Sequence, residues 1–232
     1  LASSSDKRGT MTNSFKTAPT LSVDVGGTTF VYRRIGDATG MPIIFLHHLT
    51  AVFEDWDPRI VDGLAKQHPV IIFDNRGVGG SGGATPTTVE AMADDAVAFI
   101  RALGFDQVHL LGFSLGGFVA QVILQRHPGL VSKAILTGTG PAGDAGLINE
   151  GDLLKDAFAR ADATGKHPKH FLFFTQTEKG QKAADDFLAR LNERTENRDK
   201  PVTDATIAAQ LAAIASWGRG DPSGLTLSLI HI

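Results

Sequence analysis

The sequence predicts an α/β fold: a doubly wound, mostly parallel sheet with helices on both faces. Three observations predict it: short continuous apolar runs, amphipathic segments between those runs, and a serine between two glycines where one run meets a helix. Short continuous apolar runs are typical of strands buried on both faces of a parallel sheet. Because these runs alternate with helical segments along the chain, we expect the sheet to be doubly wound.

Each predicted element follows from its own pattern. The predicted strands lie at residues 41–47, 70–73, 108–111 and 134–138. The helical spacing of apolar residues predicts helices at residues 58–67, 89–103 and 118–127. Thr87 and Glu90 are expected to form a capping box at the start of the second helix, and Pro128 is expected to end the third.

Residues 112–116 read Gly-Phe-Ser-Leu-Gly and place Ser114 at the predicted strand-to-helix turn. Such a turn forces its serine into a strained backbone conformation, with the hydroxyl group projecting from the sheet. Gly112 and Gly116 are expected for steric reasons, because bulky side chains would prevent the turn from closing. A glycine-rich loop without function would look similar, so the prediction depends on the strand and the helix on either side. Ser114 is therefore the predicted nucleophile.

The chain resembles the α/β-hydrolase superfamily, in its lid-containing esterase and haloperoxidase-like branch, over about residues 20–226. Besides the serine turn, the resemblance is carried by three segments: His-His-Leu at 47–49, the Asp-x-Arg-Gly-x-Gly-x-Ser pattern at 74–81, and the strand at 134–138 with the long helical stretch after it. The resemblance implies an oxyanion hole formed by the backbone N–H groups of Leu115 and Leu49. His48 stands where the family usually has glycine.

The resemblance also implies an acid and a histidine that follow the serine along the chain. In the family, the acid follows the strand after the lid and the histidine lies near the C-terminus, and the sequence shows neither segment. The alternatives inside the chain are His47 or His48 as the base and Asp144 as the acid. We therefore expect a C-terminally truncated chain that lacks the last strands of the fold and is nearly inactive as it stands.

The predicted organisation has five parts. They are a disordered tail (1–13), the N-terminal part of the hydrolase core (14–143), a helical lid (144–217), a return toward the core (218–226) and a non-native tail (227–232). The tail reads Leu-Ser-Leu-Ile-His-Ile, which one reading frame of a widely used transposon-derived sequencing adaptor encodes. A short native strand is the alternative for these six residues.

The lid is expected to bury its apolar face above Ser114 and to form a cleft lined by Phe, Leu and Trp with few polar groups. Within the lid, helical patterns lie at residues 147–163, 182–191 and 203–217, with an aromatic run at 171–174. The predicted substrate contacts are His48, Phe113, Phe171, Phe174 and Trp217. For each aromatic residue, a purely structural role is the alternative.

Composition favours a small organic substrate. The net charge of −3 and the isoelectric point near 6.2 give no basic surface, so we expect no nucleic-acid partner. The chain has no cysteine, which excludes disulfides and thiol chemistry, and no apolar stretch of membrane-spanning length, so we expect a cytoplasmic protein without a membrane partner. The glycine-rich run at 77–83 lacks the Lys-Ser/Thr of a phosphate-binding loop. No metal or cofactor is expected, and the oligomeric state stays open.

The resemblance thus implies a serine hydrolase that cleaves an ester or related acyl bond of a small, largely apolar molecule through an acyl-enzyme. C–C bond hydrolysis and perhydrolysis on the same fold are alternatives. A further alternative, from another functional class, is a non-catalytic hydrolase-like protein that binds a small molecule. Dehalogenases and epoxide hydrolases of this fold use an aspartate where this chain has Ser114, so they are disfavoured.

Overall fold

The computed structural model describes residues 13–144, 146–147 and 150–222. The expectations for residues 1–12 and 223–232, which include the proposed non-native tail, lie outside the described residues. The described strands form one six-stranded sheet in the order β1-β2-β4-β3-β5-β6. They are β1 (Leu21–Val25), β2 (Thr28–Ile35), β3 (Ile43–Leu46), β4 (Val70–Phe73), β5 (Val108–Phe113) and β6 (Val131–Thr137).

Pairing is parallel between β3 and β4, β3 and β5, and β5 and β6, and antiparallel where β2 pairs with β1 and β4. The helices connect and follow these strands. They are α1 (Pro58–Ala65), α2 (Val89–Ala102), α3 (Leu115–Arg126), α4 (Glu150–Thr164), α5 (Lys169–Leu172), α6 (Glu178–Leu191) and α7 (Asp204–Gly218). The predicted α/β class with a mostly parallel sheet is confirmed.

Both faces of the central strands β3 and β4 are buried, as their continuous apolar runs predicted. In β3, Ile44 and Leu46 join the larger core with α2, α3 and α7, whereas Ile43 and Phe45 join a second core with α1 on the opposite face. Alternate residues of a strand point to opposite faces, so a strand covered on both sides must be apolar throughout. This double burial defines the doubly wound architecture.

The structure corrects three details of the sequence prediction. Thr88, not Thr87, caps α2, because its side chain accepts a hydrogen bond from the N–H of Ala91 at 3.2 Å. Strand β5 continues through Phe113 and so reaches Ser114 itself. Strands β1 and β2 were not predicted, because β1 is largely exposed and β2 carries the charged residues Arg33 and Arg34.

Strand β6 lies at the edge of the sheet, paired only with β5 among the described strands. Most of its residues are exposed, and the side chain of Ile135 is 47% exposed. Helices α4 to α7, with the residues between them, form the helical segment (residues 150–218). At its far end, α7 returns to the sheet: Trp217 stacks on Phe118 of α3 with ring centroids 5.4 Å apart. In the part of the chain that the structure describes, no helix has both the length and the apolar character needed to cross a bilayer.

Candidate active site

Ser114 occupies the turn between β5 and α3 in a strained backbone conformation. Its φ of 52° and ψ of −116° are rare for a residue with a side chain. Hydrogen bonds with Thr137, at the end of β6, and with Thr139, just after β6, hold the backbone of Ser114. The N–H of Ser114 donates to the carbonyl oxygen of Thr137 at 3.0 Å, and the hydroxyl of Thr139 donates to the carbonyl oxygen of Ser114 at 2.9 Å. These contacts fix the turn and leave the Ser114 side chain facing a cavity.

The two glycines of the turn are explained by close backbone contacts. A Cβ atom on Gly116 would overlap the carbonyl oxygen of Leu46 at the end of β3. A Cβ atom on Gly112 would collide with the carbonyl group of Gly116. Helix α3 therefore starts in direct contact with the end of β3, and this contact brings the loop after β3 next to Ser114.

The two residues expected to supply the oxyanion donors, Leu115 and Leu49, belong to the two segments that touch here. Leu115 is the first residue of α3, so its N–H has no partner within the helix. Leu49 is buried in the loop after β3 and lines the same cavity as Ser114. An anionic oxygen at the N-terminus of a helix is also stabilised by the helix dipole. The Leu115 N–H thus follows directly after a strained serine, and Leu49 lines the same cavity, an arrangement that is compatible with acyl transfer.

The cavity has a volume of about 770 Å³, within the range of roughly 300–1,000 Å³ that is usual for small-molecule sites. Ser114, Leu49 and Phe113 line it on the sheet side, while α4, α5 and α7 provide the opposite wall. Three of its apolar residues are half exposed, so the cavity opens to solvent through an apolar rim. They are Leu153 (65% exposed), Phe158 (51%) and Phe173 (47%).

One wall of the cavity is charged, a feature that no pattern in the sequence predicted. Lys169 of α5 forms an ion pair with Asp55, and both residues line the cavity. Burial acts to raise the pKa of Asp55, but the positive charge of Lys169 and hydrogen bonds outweigh it and lower that pKa. Asp199 lines the same wall. The expected cleft with few polar groups is therefore only partly apolar.

Two of the predicted substrate contacts, His48 and Phe113, line the cavity. The two rings meet edge to face with centroids 5.0 Å apart. His48 Nδ1 lies 2.7 Å from the carbonyl oxygen of Leu49, which can only accept, so Nδ1 carries the proton. Burial lowers the pKa of His48, so its ring is neutral at pH 7.

Three predicted substrate contacts do not line the cavity. Phe171 packs under the guanidinium group of Arg160, which lies 4.5 Å from the ring centroid, and Phe174 packs on Phe187. Trp217 is buried in the larger core. The aromatic lining comes from Phe113, Phe158 and Phe173 instead. Phe171, Phe174 and Trp217 therefore lie outside the lining of this cavity, because the helical segment presents other residues to it.

The described residues place no histidine in hydrogen-bond contact with the Ser114 hydroxyl. His47 is fully buried, its Nδ1 accepts from Trp56 Nε1 at 3.0 Å, and burial above all lowers its pKa to about 4. Asp144 is exposed, and its side chain accepts from the N–H of Gly146. Among the described residues, neither His47 nor Asp144 forms a hydrogen bond with the Ser114 side chain.

Several residues at the site carried no signal in the sequence. Lys169, Asp199 and the cavity-lining His167 come from the helical segment. Lys169 and Asp199 are held by contacts with Asp55 and Glu54, more than a hundred residues away. Thr139 was detectable in principle, because a strand parallel to β5 must end beside the serine turn. The positions of Lys169, Asp199 and His167 depend on how the helices pack against the sheet.

The family is decided by comparison with known proteins. A family model described as alpha/beta hydrolase fold matches residues 41–225. The chain belongs to this family. The α/β-hydrolase assignment agrees with the serine turn, the sheet order and the cavity at the ends of the parallel strands.

A solved α/β-hydrolase fold protein from Chitinophaga pinensis is 41% identical, with a TM-score of 0.85 over 91% of this chain and 76% of that chain. The non-heme chloroperoxidase of Streptomyces lividans is 32% identical over 117 residues, which cover 50% of this chain and 42% of the relative. The enol-lactonase of Burkholderia xenovorans shares the fold, with a TM-score of 0.61, 22% identity and coverage of 86% and 75%. The alignments span about 40% of the length of the first curated relatives that the chain matches.

Proposed function

We propose that the chain is the serine-bearing part of a hydrolase that cleaves an ester or related acyl bond of a small, largely apolar molecule. One observation carries the proposal: Ser114 stands in a strained strand-to-helix turn, with Leu115 directly after it, at the wall of an open cavity that Leu49 also lines. Membership of the α/β-hydrolase family supports the same reaction class.

In the proposed reaction, the Ser114 hydroxyl oxygen attacks the carbonyl carbon of the substrate. The carbonyl oxygen becomes an anion that the two N–H groups stabilise, and each such donor is typically worth about 3 kcal/mol. The C–O bond to the alcohol then breaks, the alcohol leaves with a proton, and Ser114 carries the acyl group. Attack by water on the ester formed at Ser114 releases the carboxylic acid and restores the hydroxyl group.

The proposal assigns the nucleophile and the oxyanion donors and leaves the base unassigned. Without a histidine bonded to Ser114, turnover falls by up to about a millionfold relative to a complete triad. The oxyanion hole and substrate binding alone still accelerate the reaction by about 10³–10⁴ over water. We therefore propose that the described chain acylates Ser114 slowly and turns over poorly.

The shape of the cavity guides the substrate class. Its rim of Leu153, Phe158 and Phe173 favours an apolar acyl or alcohol group, while the Asp55–Lys169 pair can hydrogen-bond a polar substituent. A purely apolar substrate would leave the charged wall unused. Esters that join an apolar part to a hydrogen-bonding part are thus the preferred candidates.

The test is hydrolysis of p-nitrophenyl esters of increasing acyl length by the chain and by Ser114→Ala. We expect slow release of p-nitrophenol that requires Ser114 and that is strongest for a medium-length apolar acyl group. Equal release by Ser114→Ala would overturn the proposal and favour the non-catalytic binding protein. Rapid turnover that Ser114→Ala abolishes would support the nucleophile and overturn the expectation of poor turnover.

Perhydrolysis is a second candidate, favoured by the similarity to the non-heme chloroperoxidase. In this reaction hydrogen peroxide replaces water, its oxygen attacks the acyl carbon on Ser114, and a peroxy acid leaves. The first half of the reaction is unchanged. Formation of peroxy acid from an ester and hydrogen peroxide, dependent on Ser114, would distinguish it from simple hydrolysis.

A further inference from the structure

The loop after β3 contains a strained residue directly after the proposed oxyanion donor. Thr50 has a φ of 63°, in the left-handed region that a β-branched residue rarely adopts. Such a conformation costs about 1–3 kcal/mol and persists only where neighbouring contacts impose it. The contacts that hold Thr50 therefore show what fixes the loop.

The peptide unit that joins Leu49 to Thr50 is held at both ends. On one side, its carbonyl oxygen accepts a hydrogen bond from His48 Nδ1 at 2.7 Å. On the other side, its N–H, which belongs to Thr50, donates to Oε1 of Gln210 at 2.8 Å. A peptide plane held at both its carbonyl and its N–H resists rotation, and the preceding peptide, which carries the Leu49 N–H, is joined to this plane at the Leu49 Cα.

Gln210 lies in α7 and is 1% exposed. Its Nε2 has no hydrogen-bond partner among the described residues, so only the oxygen of its side chain is used. A buried amide with an unpaired donor is unfavourable for folding. Gln210 is thus poorly explained as a core residue and well explained as an acceptor for the N–H of Thr50.

Helix α7 is a firm support for this contact. Near its start, the hydroxyl of Thr206 donates to the carbonyl oxygen of Gly77 at 3.0 Å. Near its end, the Trp217 ring stacks on Phe118 of α3, the helix that starts at the serine turn. Gln210 lies between these two anchors and reaches the loop from a fixed position.

We infer that Gln210 is a positioning residue that holds the loop after β3 so that the Leu49 N–H faces the oxyanion at Ser114. The inference rests on the proposed function, since Leu49 acts only if Ser114 forms a tetrahedral intermediate. Gln210 touches neither Ser114 nor the substrate in this role, and it acts through the Leu49–Thr50 peptide.

The experiment follows acylation of Ser114 by p-nitrophenyl acetate with intact-mass spectrometry, in the unaltered chain and in Gln210→Met, Gln210→Glu and Gln181→Met. Methionine keeps the length of the side chain but cannot accept strongly, whereas glutamate keeps the acceptor oxygen. Gln181 bonds only within the helical segment, to Lys166, to His170 and to the carbonyl of Thr175, so its variant is the matched control. Hydrogen exchange of the Thr50 amide is measured in parallel and needs no reactivity.

We expect Gln210→Met to lower the saturating acylation rate by about 10- to 100-fold, because a small misplacement of an oxyanion donor is costly. The half-saturating ester concentration should stay unchanged, since substrate contacts are kept. The Thr50 amide should exchange about tenfold faster. Gln210→Glu should restore the acylation rate and the protection of Thr50, and Gln181→Met should resemble the unaltered chain.

The outcomes separate the two proposals. An unaltered chain that forms no adduct at Ser114 overturns the proposed function. Normal acylation of the unaltered chain with an equal rate in Gln210→Met overturns the role of Gln210 alone. Unchanged Thr50 exchange in Gln210→Met also overturns that role, even if Ser114 is unreactive. If Gln210→Met fails to fold, Gln210→Glu gives the test instead. A folded Gln210→Glu chain whose acylation rate stays well below that of the unaltered chain contradicts the inference.

Discussion

At the scale of single residues, the site depends on a few positions where the backbone has no room for alternatives. Ser114 adopts a conformation that most residues avoid, and Gly116 lies against the end of β3. The sequence predicted both features, because the spacing of serine and glycines reflects steric demands that are local to the turn. Sequence reasoning could not predict Thr50 or its contact with Gln210, which lies 160 residues away.

Gly116→Ala is expected to destabilise the fold. A methyl group at this position overlaps backbone atoms of Leu46 and His47, which cannot rotate away as a side chain could. Overpacking of this kind typically costs about 1–3 kcal/mol, so the free energy of unfolding in urea should fall by at least that amount. Gly63→Ala in α1 is the matched control, since a Cβ atom there meets nothing within 4 Å. It should raise stability by about 0.5–1 kcal/mol, and equal effects of the two variants would refute the steric account.

At the scale of elements, a buried polar network joins the sheet to the segment before α7. Arg33 of β2 forms an ion pair with Glu54 at 2.6 Å, and the other carboxylate oxygen of Glu54 accepts from the N–H of Asp199 at 3.0 Å. The Asp199 side chain meets that of Asp74 above Gly79, whose Cα leaves room for both carboxyl groups. Asp199 of the helical segment is thus the partner of Asp74 in the loop at 74–81.

The pair of Asp74 and Asp199 makes stability depend on pH. Burial first, and then the neighbouring Asp199 carboxyl group, raise the pKa of Asp74 well above its usual value. Gly80 and Arg33 act in the opposite direction, and His47 Nε2 lies 3.8 Å from Asp74 Oδ1. The folded chain therefore retains a proton that the unfolded chain releases near pH 4.

The direction in which stability changes with pH follows from this difference in bound protons. The contribution of Asp74 is complete below its unfolded pKa and is lost as the pH rises through its raised folded pKa. The melting temperature should fall as the pH increases above about 4, and Asp74→Asn should flatten this fall, because asparagine stays neutral. Thermal melts of both chains at several pH values test the prediction. Parallel curves would show that another group controls the pH dependence.

The exposed edge strand β6 predicts self-association of the chain. An exposed strand edge with an exposed isoleucine can pair with a second molecule. We expect association that increases with protein concentration and that Ile135→Lys reduces, since a charge on an edge strand opposes such pairing. Sedimentation velocity over a range of concentrations measures this. If the unaltered chain is monomeric at every concentration, the expected association through β6 is contradicted.

At the scale of the whole molecule, the sequence predicted the central strands and failed where distant parts meet. The strands β3, β4 and β5 were predictable because burial on both faces requires continuous apolar runs. Phe173 faces the cavity while Phe171 and Phe174 do not, and this choice depends on how α5 docks through Lys169 and Asp55. No local pattern encodes that docking, so the cavity lining was predicted only in part.

Peptide-level mass spectrometry after prolonged incubation with an activated acyl ester tests directly whether Ser114 is the nucleophile. We expect one acyl group per chain, located on Ser114, which appears with saturable kinetics and is absent from Ser114→Ala. Acylation confined to lysines, or an equal adduct in Ser114→Ala, would contradict the assignment of Ser114 as the nucleophile.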